Sequence, residues 1–279
     1  MALVKYPEYR EYLEQRIQTN DTVMGLLVAT RIASQTLTLT EGSDLTIGAI
    51  YPRIEHIRRL NLTTDKVQKV FGDAEQLLGI LAVPQILALH EDLMVKMLKL
   101  LQKHLPGHQN ISRDAKSANV HESFQSITSS QFDQDILSLF HLIRIARNTH
   151  IHNGGKATTA LTSHAKMPST SAYAEWENIT GTQFSNYSIG DPVKLGLPEL
   201  IGTLAVTKRL AEEANLRLQQ ALPKEAWADM AVSEWITVKK HGNPSQQNRQ
   251  LQGIARKVYF PIGLTENQLA DAKARAGNP

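Results

Sequence analysis

Residues 144–155 read Arg-Ile-Ala-Arg-Asn-Thr-His-Ile-His-Asn-Gly-Gly. Arg147 is followed at once by Asn148 and, five positions on, by His152. An arginine guanidinium stays charged at any physiological pH and matches the geometry of a phosphate. A histidine can take up or release a proton near neutrality. Together these side chains are the minimum needed to cut RNA without a metal ion.

The elements that must position them follow from periodicity. At roughly 100° per residue, Phe132, Ile136, Leu139, Ile143 and Ala146 fall on one side of a helix over 132–152, flanked by Phe140 and Leu142. That side is core. His141, Arg144, Asn148 and His152 are spaced by three, four and four residues and form a polar stripe opposite it. Arg147 sits at the edge of the stripe, and His150 falls on the core side. Asn148 and His152 are neighbours at i,i+4. His152 lies in the last turn, where the helix dipole favours a cation. Gly154 and Gly155 stop the helix and allow close approach of a backbone or a phosphate.

The remaining helices are read in the same way. Tyr9–Ile17 and Thr22–Leu37 fit two amphipathic helices, the second capped by Asn20 or Asp21. Residues 39–49 read as a loop and 51–60 as a short basic helix. Thr64 and Asp65 can cap a helix that breaks near Gly72 and reaches Pro84, and another covers 85–104. Residues 105–131 are polar and read as a long loop. Ser130 stands three residues before Asp133, a capping-box spacing for the next helix. Residues 153–192 carry glycines, prolines and aromatics, which suggests irregular structure with a short hairpin. Helices are expected over 198–222, 224–238, 248–258 and 266–276, the last with a Thr265–Gln268 capping box. Pro223 marks a boundary between a domain over 1–222 and a basic helical extension over 223–279.

Composition narrows the function classes. The chain has 279 residues, 30 basic against 27 acidic, and a formal charge of +3, too even to announce a nucleic-acid binder by charge alone. It has no cysteine, so disulfides, cysteine–zinc sites and thiol nucleophiles are excluded. The first ten residues turn charged at once and show no signal-peptide core. The most apolar run, Leu77–Leu89, is too short to span a bilayer and contains Pro84. A soluble cytoplasmic protein is the expectation.

Arg147-Asn148-Thr149-His150-Ile151-His152-Asn153-Gly154-Gly155 resembles the Arg-Asn-x-x-x-His signature of the HEPN superfamily (higher eukaryotes and prokaryotes nucleotide-binding). The order of a long helix ending in the motif, a variable loop and another long helix is similar as well, so the resemblance covers roughly 64–222. It implies an all-α, HEPN-like helical bundle. It implies a metal-independent endoribonuclease without cofactors, commonly a homodimer with a composite site. Carried over, His152 acts as general acid or base, Arg147 holds the scissile phosphate, and Asn148 orients His152 or the phosphate. The 2′-hydroxyl is the nucleophile, which requires RNA and leaves a 2′,3′-cyclic phosphate. Arg144, His141 and Asn153 flank the site. The setting implied is a prokaryotic toxin or anti-phage effector held in check by an antitoxin or a defence-system partner. One family branch carries a modifiable tyrosine two residues after the histidine; here that position is Gly154.

Blander readings stand beside these. His150 and His152 point about 200° apart on a helix, so a shared metal is not expected. His150 reads as a satisfied core or interface histidine. Arg53, His56, Arg58 and Arg59, and the C-terminal Lys239, Lys240, Arg249, Arg256 and Lys257, form basic stretches that fit either RNA contact or plain solvation. Trp227 and Trp235 read as packing residues. The alternatives to a nuclease are a non-catalytic nucleotide- or partner-binding module, and a structural helical protein with a C-terminal docking segment.

Overall fold

The computed structural model describes residues 2–40, 42–60, 62–105, 107, 113, 115–237 and 243–277, with residues 58 and 60 described by backbone alone. In chain order the helices are α1 (Pro7–Leu37), the single turns α2 (Ile47–Ile50) and α3 (Ile57–Leu60), α4 (Thr64–Gly72), α5 (Ala74–His104), α6 (Val120–Thr128), α7 (Gln134–His152), α8 (Thr159–His164), α9 (Thr170–Thr180), α10 (Leu197–Ala221), α11 (Lys224–Thr237), α12 (Pro244–Val258) and α13 (Glu266–Gly277). Among the described residues no β-strand forms. Two isolated antiparallel bridges, Thr46–Thr63 and Lys156–Pro192, are the only extended pairings among the described residues. The fold is all-α, as the periodicity requires.

Several boundaries differ from the sequence reading, each for a physical reason. The first two expected helices are one. Asn20 and Asp21 sit inside α1, because Thr19 and Val23 on either side are buried and hold the helix in register. Thr30 and Thr36 donate their hydroxyls to the carbonyls of Leu26 and Ile32, so neither competes for an N–H. α5 likewise runs through Pro84 for 31 residues. A mid-helix proline costs about 3 kcal/mol, and burial of Val83, Ile86 and Leu87 around it offsets that cost. Length and composition alone now make α5, and the segment Pro7–Thr40, long and apolar enough to cross a membrane.

The expected loop at 105–131 contains α6, and the irregular region at 153–192 contains α8 and α9. Residues 51–56 form turns, and only 57–60 are helical. Asp133, not Ser130, caps α7: its carboxylate accepts the N–H groups of Asp135 at 2.9 Å and Ile136 at 3.3 Å. Ser130 instead shares a 2.7 Å hydroxyl contact with Thr128. Lys239, Lys240 and His241 lie outside the described residues, as does the side chain of Arg58.

The chain divides into two compact units: residues 1–16, 87–141 and 205–279 form the first, and residues 17–86 and 142–204 the second. Residues 223–279 therefore belong to the first unit, not to a separate extension. There the chain start docks on the C-terminal helices. Tyr6 meets Trp227 ring to ring at 5.8 Å, and Trp227 meets Tyr259 at 6.2 Å. The Asn215 amide donates to the Val4 carbonyl at 2.9 Å. Glu234 takes the Arg10 guanidinium at 2.7 Å and the Tyr259 hydroxyl at 3.1 Å. Trp227 and Trp235 are both buried packing residues. The Thr265–Gln268 capping box forms as its spacing predicts, with both reciprocal bonds present.

The second unit carries the end of α7. Leu142, Ile145 and Ala146 pack with Ala157, Leu161, Tyr187, Val193 and Leu195. A smaller cluster joins Leu37, Ile47 and Val67. Glycine is required at two crossings. A Cβ on Gly79 would lie 1.8 Å from the Leu195 carbonyl oxygen, and one on Gly202 would lie 2.3 Å from the Trp176 ring.

Candidate functional site

The α7 helix buries Ile136, Leu139, Phe140, Leu142, Ile143 and Ala146, the side assigned to the core. Leu137, Ile145 and Thr149 are buried too. On the opposite side Arg144 and Asn148 are half-buried, and His152 and Asn153 are exposed. The polar stripe thus emerges into solvent at the helix's C-terminal end. Arg147 is half-buried. At roughly 100° per residue, His152 stands about 40° from Asn148, about 80° from Arg144 and about 140° from Arg147. Arg144, Asn148 and His152 share one face, whereas Arg147 lies outside it.

The helix end has a defined shape. The Asn153 N–H donates to the Thr149 carbonyl at 3.0 Å, and the Gly155 N–H donates to the His150 carbonyl at 3.1 Å. Gly154 and Gly155 have φ of +59° and +71°, the left-handed region that glycine adopts without a Cβ penalty. The chain then pairs with the segment that leads to α10. Val193 donates to Gly155 at 2.7 Å, Ala157 to Asp191 at 2.8 Å, and Gly190 to Ala157 at 2.9 Å. The short hairpin suggested for this region does not form; the pairing is an isolated bridge between distant residues. Everything from 158 to 189 leaves and returns at one place.

α10 begins under the control of Glu199, whose carboxylate accepts the Gly196 N–H at 2.8 Å. Burial pushes this carboxyl above its usual range, opposed by the same backbone hydrogen bond and by Lys194.

His141 belongs to the first unit and has a partner there: its Nε2 lies 3.2 Å from the Glu122 carboxylate. His150 corrects an expectation. It is half-buried against the glycine turn, 3.4 Å from where a Gly155 Cβ would sit, and its buried Nδ1 has no hydrogen-bond partner. It is a packed histidine, but not a satisfied one.

Two features escaped the sequence reading. The 158–189 excursion encloses a groove of about 450 Å³, lined by Tyr173 and Phe184 with Glu177, Gln183 and Asn186. Aromatic faces beside amides and a carboxylate suit a planar, hydrogen-bonding ring. In the first unit His90 and His121 form a buried pair. His90 falls on the apolar period of α5, which is the one signal available for it. His121 lay within a segment read as loop.

Comparison of the chain with protein-family models, with curated proteins and with solved structures finds no match.

Proposed function

We propose that the chain is an HEPN-type endoribonuclease whose site is the exposed end of α7. One observation carries this reading: His152 is exposed one turn from Asn148, at a helix end where two left-handed glycines place no side chain over it. A general acid–base group needs that access. His152 accepts the proton of the ribose 2′-hydroxyl as its oxygen attacks phosphorus, or donates one to the departing 5′-oxygen. The phosphodiester becomes a 2′,3′-cyclic phosphate, and the leaving strand ends in a 5′-hydroxyl. Arg147 holds the phosphate and stabilises the charge that builds on its oxygens, and Asn148 orients the pair. Since Arg147 and His152 stand about 140° apart on one helix, they serve one phosphate best when a second copy supplies one of them. This is the composite site that the family resemblance implies. Arg144 and Asn153 flank the site. A toxin or defence setting, with an inhibitory partner, follows from the same resemblance.

The test is cleavage of total cellular RNA in excess EDTA by wild type and by the Arg147→Ala, His152→Ala double variant. Cyclic-phosphate ends from wild type alone support the reading. Equal cleavage by both overturns it.

A second reading has its own observation. Arg144 and Arg147 are half-buried, and each has a partner within the chain. Arginines engaged in this way brace the helix end, and a non-catalytic binding module built on it would keep its affinity for RNA or nucleotide when His152 is replaced.

A further inference from the structure

α1 packs by one side only. Within the second unit its buried residues are Thr19, Val23 and Leu37. Away from that side runs a row at 17, 21, 25, 28, 32, 35 and 39, with gaps of three or four residues. The row reads Ile, Asp, Gly, Val, Ile, Gln, Leu, and every member is exposed. Its apolar members are far from marginal: Ile17 is 60% exposed, Val28 57%, Ile32 60% and Leu39 87%. Gaps of three and four keep the row on one face, and among the described residues nothing covers it. From Ile17 to Leu39 the only charged residues are Asp21 and Arg31, so little charge opposes association.

The order of residues along the row specifies what fits it. Placed against its own copy in antiparallel sense about a two-fold axis at Val28, the row complements itself. Val28 meets Val28, Ile17 meets Leu39, and Asp21 meets Gln35, an acceptor against an amide donor. Gly25 falls within one residue of Ile32 and leaves space for its branched side chain. The same arrangement brings Asp21 within one turn of Arg31 of the other copy. Arg31 bonds Glu75 in its own chain, yet its side chain keeps 69% of its exposure and can face both carboxylates. A parallel pairing would instead put Asp21 against Asp21, like against like. A two-fold, self-complementary patch is the commonest way that identical chains associate.

We propose that α1 and the 3₁₀ turn that continues it, Thr38–Thr40, are a homodimer interface, formed by antiparallel pairing of the Ile17–Leu39 row about Val28. The seam extends about 33 Å at 1.5 Å per residue. It is separate from the pairing at the end of α7 on which the composite site rests, because no residue of α7 takes part, and a chain that uses both associates beyond a dimer.

The absence of native cysteine makes the test direct. Single cysteines are placed at Val28, Ile17, Leu39 and, on another side of α1, Leu26, and each full-length variant is treated with a short bis-maleimide. The expected result is efficient self-linking of Val28→Cys, linking between Ile17→Cys and Leu39→Cys when the two are mixed, and no self-linking of Ile17→Cys or Leu26→Cys. Light scattering should give at least twice the chain mass for wild type. The Val28→Glu, Ile32→Glu variant should lower that mass at least two-fold with unchanged helical circular dichroism. A monomeric wild type at 100-fold the assay concentration overturns the proposal. So does a dimer in which Ile17→Cys links to itself, which would mean parallel pairing. Cosedimentation of monomer with phosphatidylcholine–phosphatidylglycerol vesicles, abolished by Val28→Glu, Ile32→Glu, would assign the face to a membrane and overturn it equally.

Discussion

The Nε2 atoms of His90 and His121 lie 2.9 Å apart, and both rings are fully buried. Between two imidazoles one nitrogen must donate and the other accept, so the contact fits two neutral rings of complementary tautomer. Phe140 packs against both, at 5.3 and 4.6 Å between centroids. Tyr12 reaches His90 from α1, and His141 faces His121 from α7. Burial, with a smaller contribution from Arg16, holds His90 down at about 3.

This pair makes stability depend on pH. An unfolded histidine binds its proton near pH 6.5, whereas buried His90 takes none until about pH 3. Between those values the unfolded chain binds more protons than the folded one. The stabilisation is complete above pH 6.5 and declines as pH falls toward 3, by at most about 1.4 kcal/mol per pH unit for this one group. Urea unfolding at intervals from pH 7.5 to pH 4 checks it, with His90→Gln as the comparison that should show a shallower slope. Equal slopes would mean that other groups govern acid stability.

His152→Ala should lower RNA cleavage by about 10²- to 10⁴-fold, the usual effect of removing a general acid–base group. The side chain is exposed, so the unfolding midpoint should stay put. Mixing Arg147→Ala with His152→Ala protein should restore part of the activity, because one composite site then has both groups intact. Parallel rate and melting measurements on the two singles and their mixture test this. A His152→Ala protein that melts early would identify a structural histidine.

Gly79→Ala should be among the more damaging single-methyl additions in the chain. The new Cβ would meet a backbone carbonyl, that of Leu195, which has no rotamer with which to yield. Overpacking of this kind costs about 1–3 kcal/mol. Gly72→Ala, whose Cβ meets nothing within 4 Å, is the control, and the difference in melting temperature between the two is the measurement.

Leu139→Ala should cost about 2–5 kcal/mol, since Leu139 is fully buried and truncation leaves a cavity. Its chevron or equilibrium unfolding curve gives the number directly. A cost below 1 kcal/mol would show that α7 packs more loosely than its burial indicates.

Particular residues show what the chain announced and what it concealed. The core side of α7 was legible because Ile136, Leu139, Ile143 and Ala146 repeat at the helical period and nothing interrupts them. The Thr265–Gln268 cap was legible because its partners are local. Asn20, Asp21 and Pro84 misled for one reason: each is a breaker by propensity, and burial of neighbours on the same helix outweighs a propensity of a few kcal/mol at most. The Gly155–Val193 pairing was invisible because it joins segments far apart in sequence, and backbone bonds leave no mark on residue type. The emptiness of Gly79 and Gly202 was hidden likewise, since a helical glycine declares neither the carbonyl nor the ring that excludes its Cβ.

The bridge between Lys156 and Pro192 carries a further consequence. A segment whose two ends are fastened together is a closed loop, and the entropy of closing a loop grows only with the logarithm of its length. Residues 158–189 have anchors of their own in Leu161 and Tyr187. Their exposed stretches, such as 181–183, can therefore be lengthened at small thermodynamic cost, while buried Leu161, Ala172, Trp176 and Tyr187 hold the rest in place. The excursion tolerates insertion around a fixed core. Insertions at such a stretch would reshape the groove while leaving in place the side chains that pack against α7.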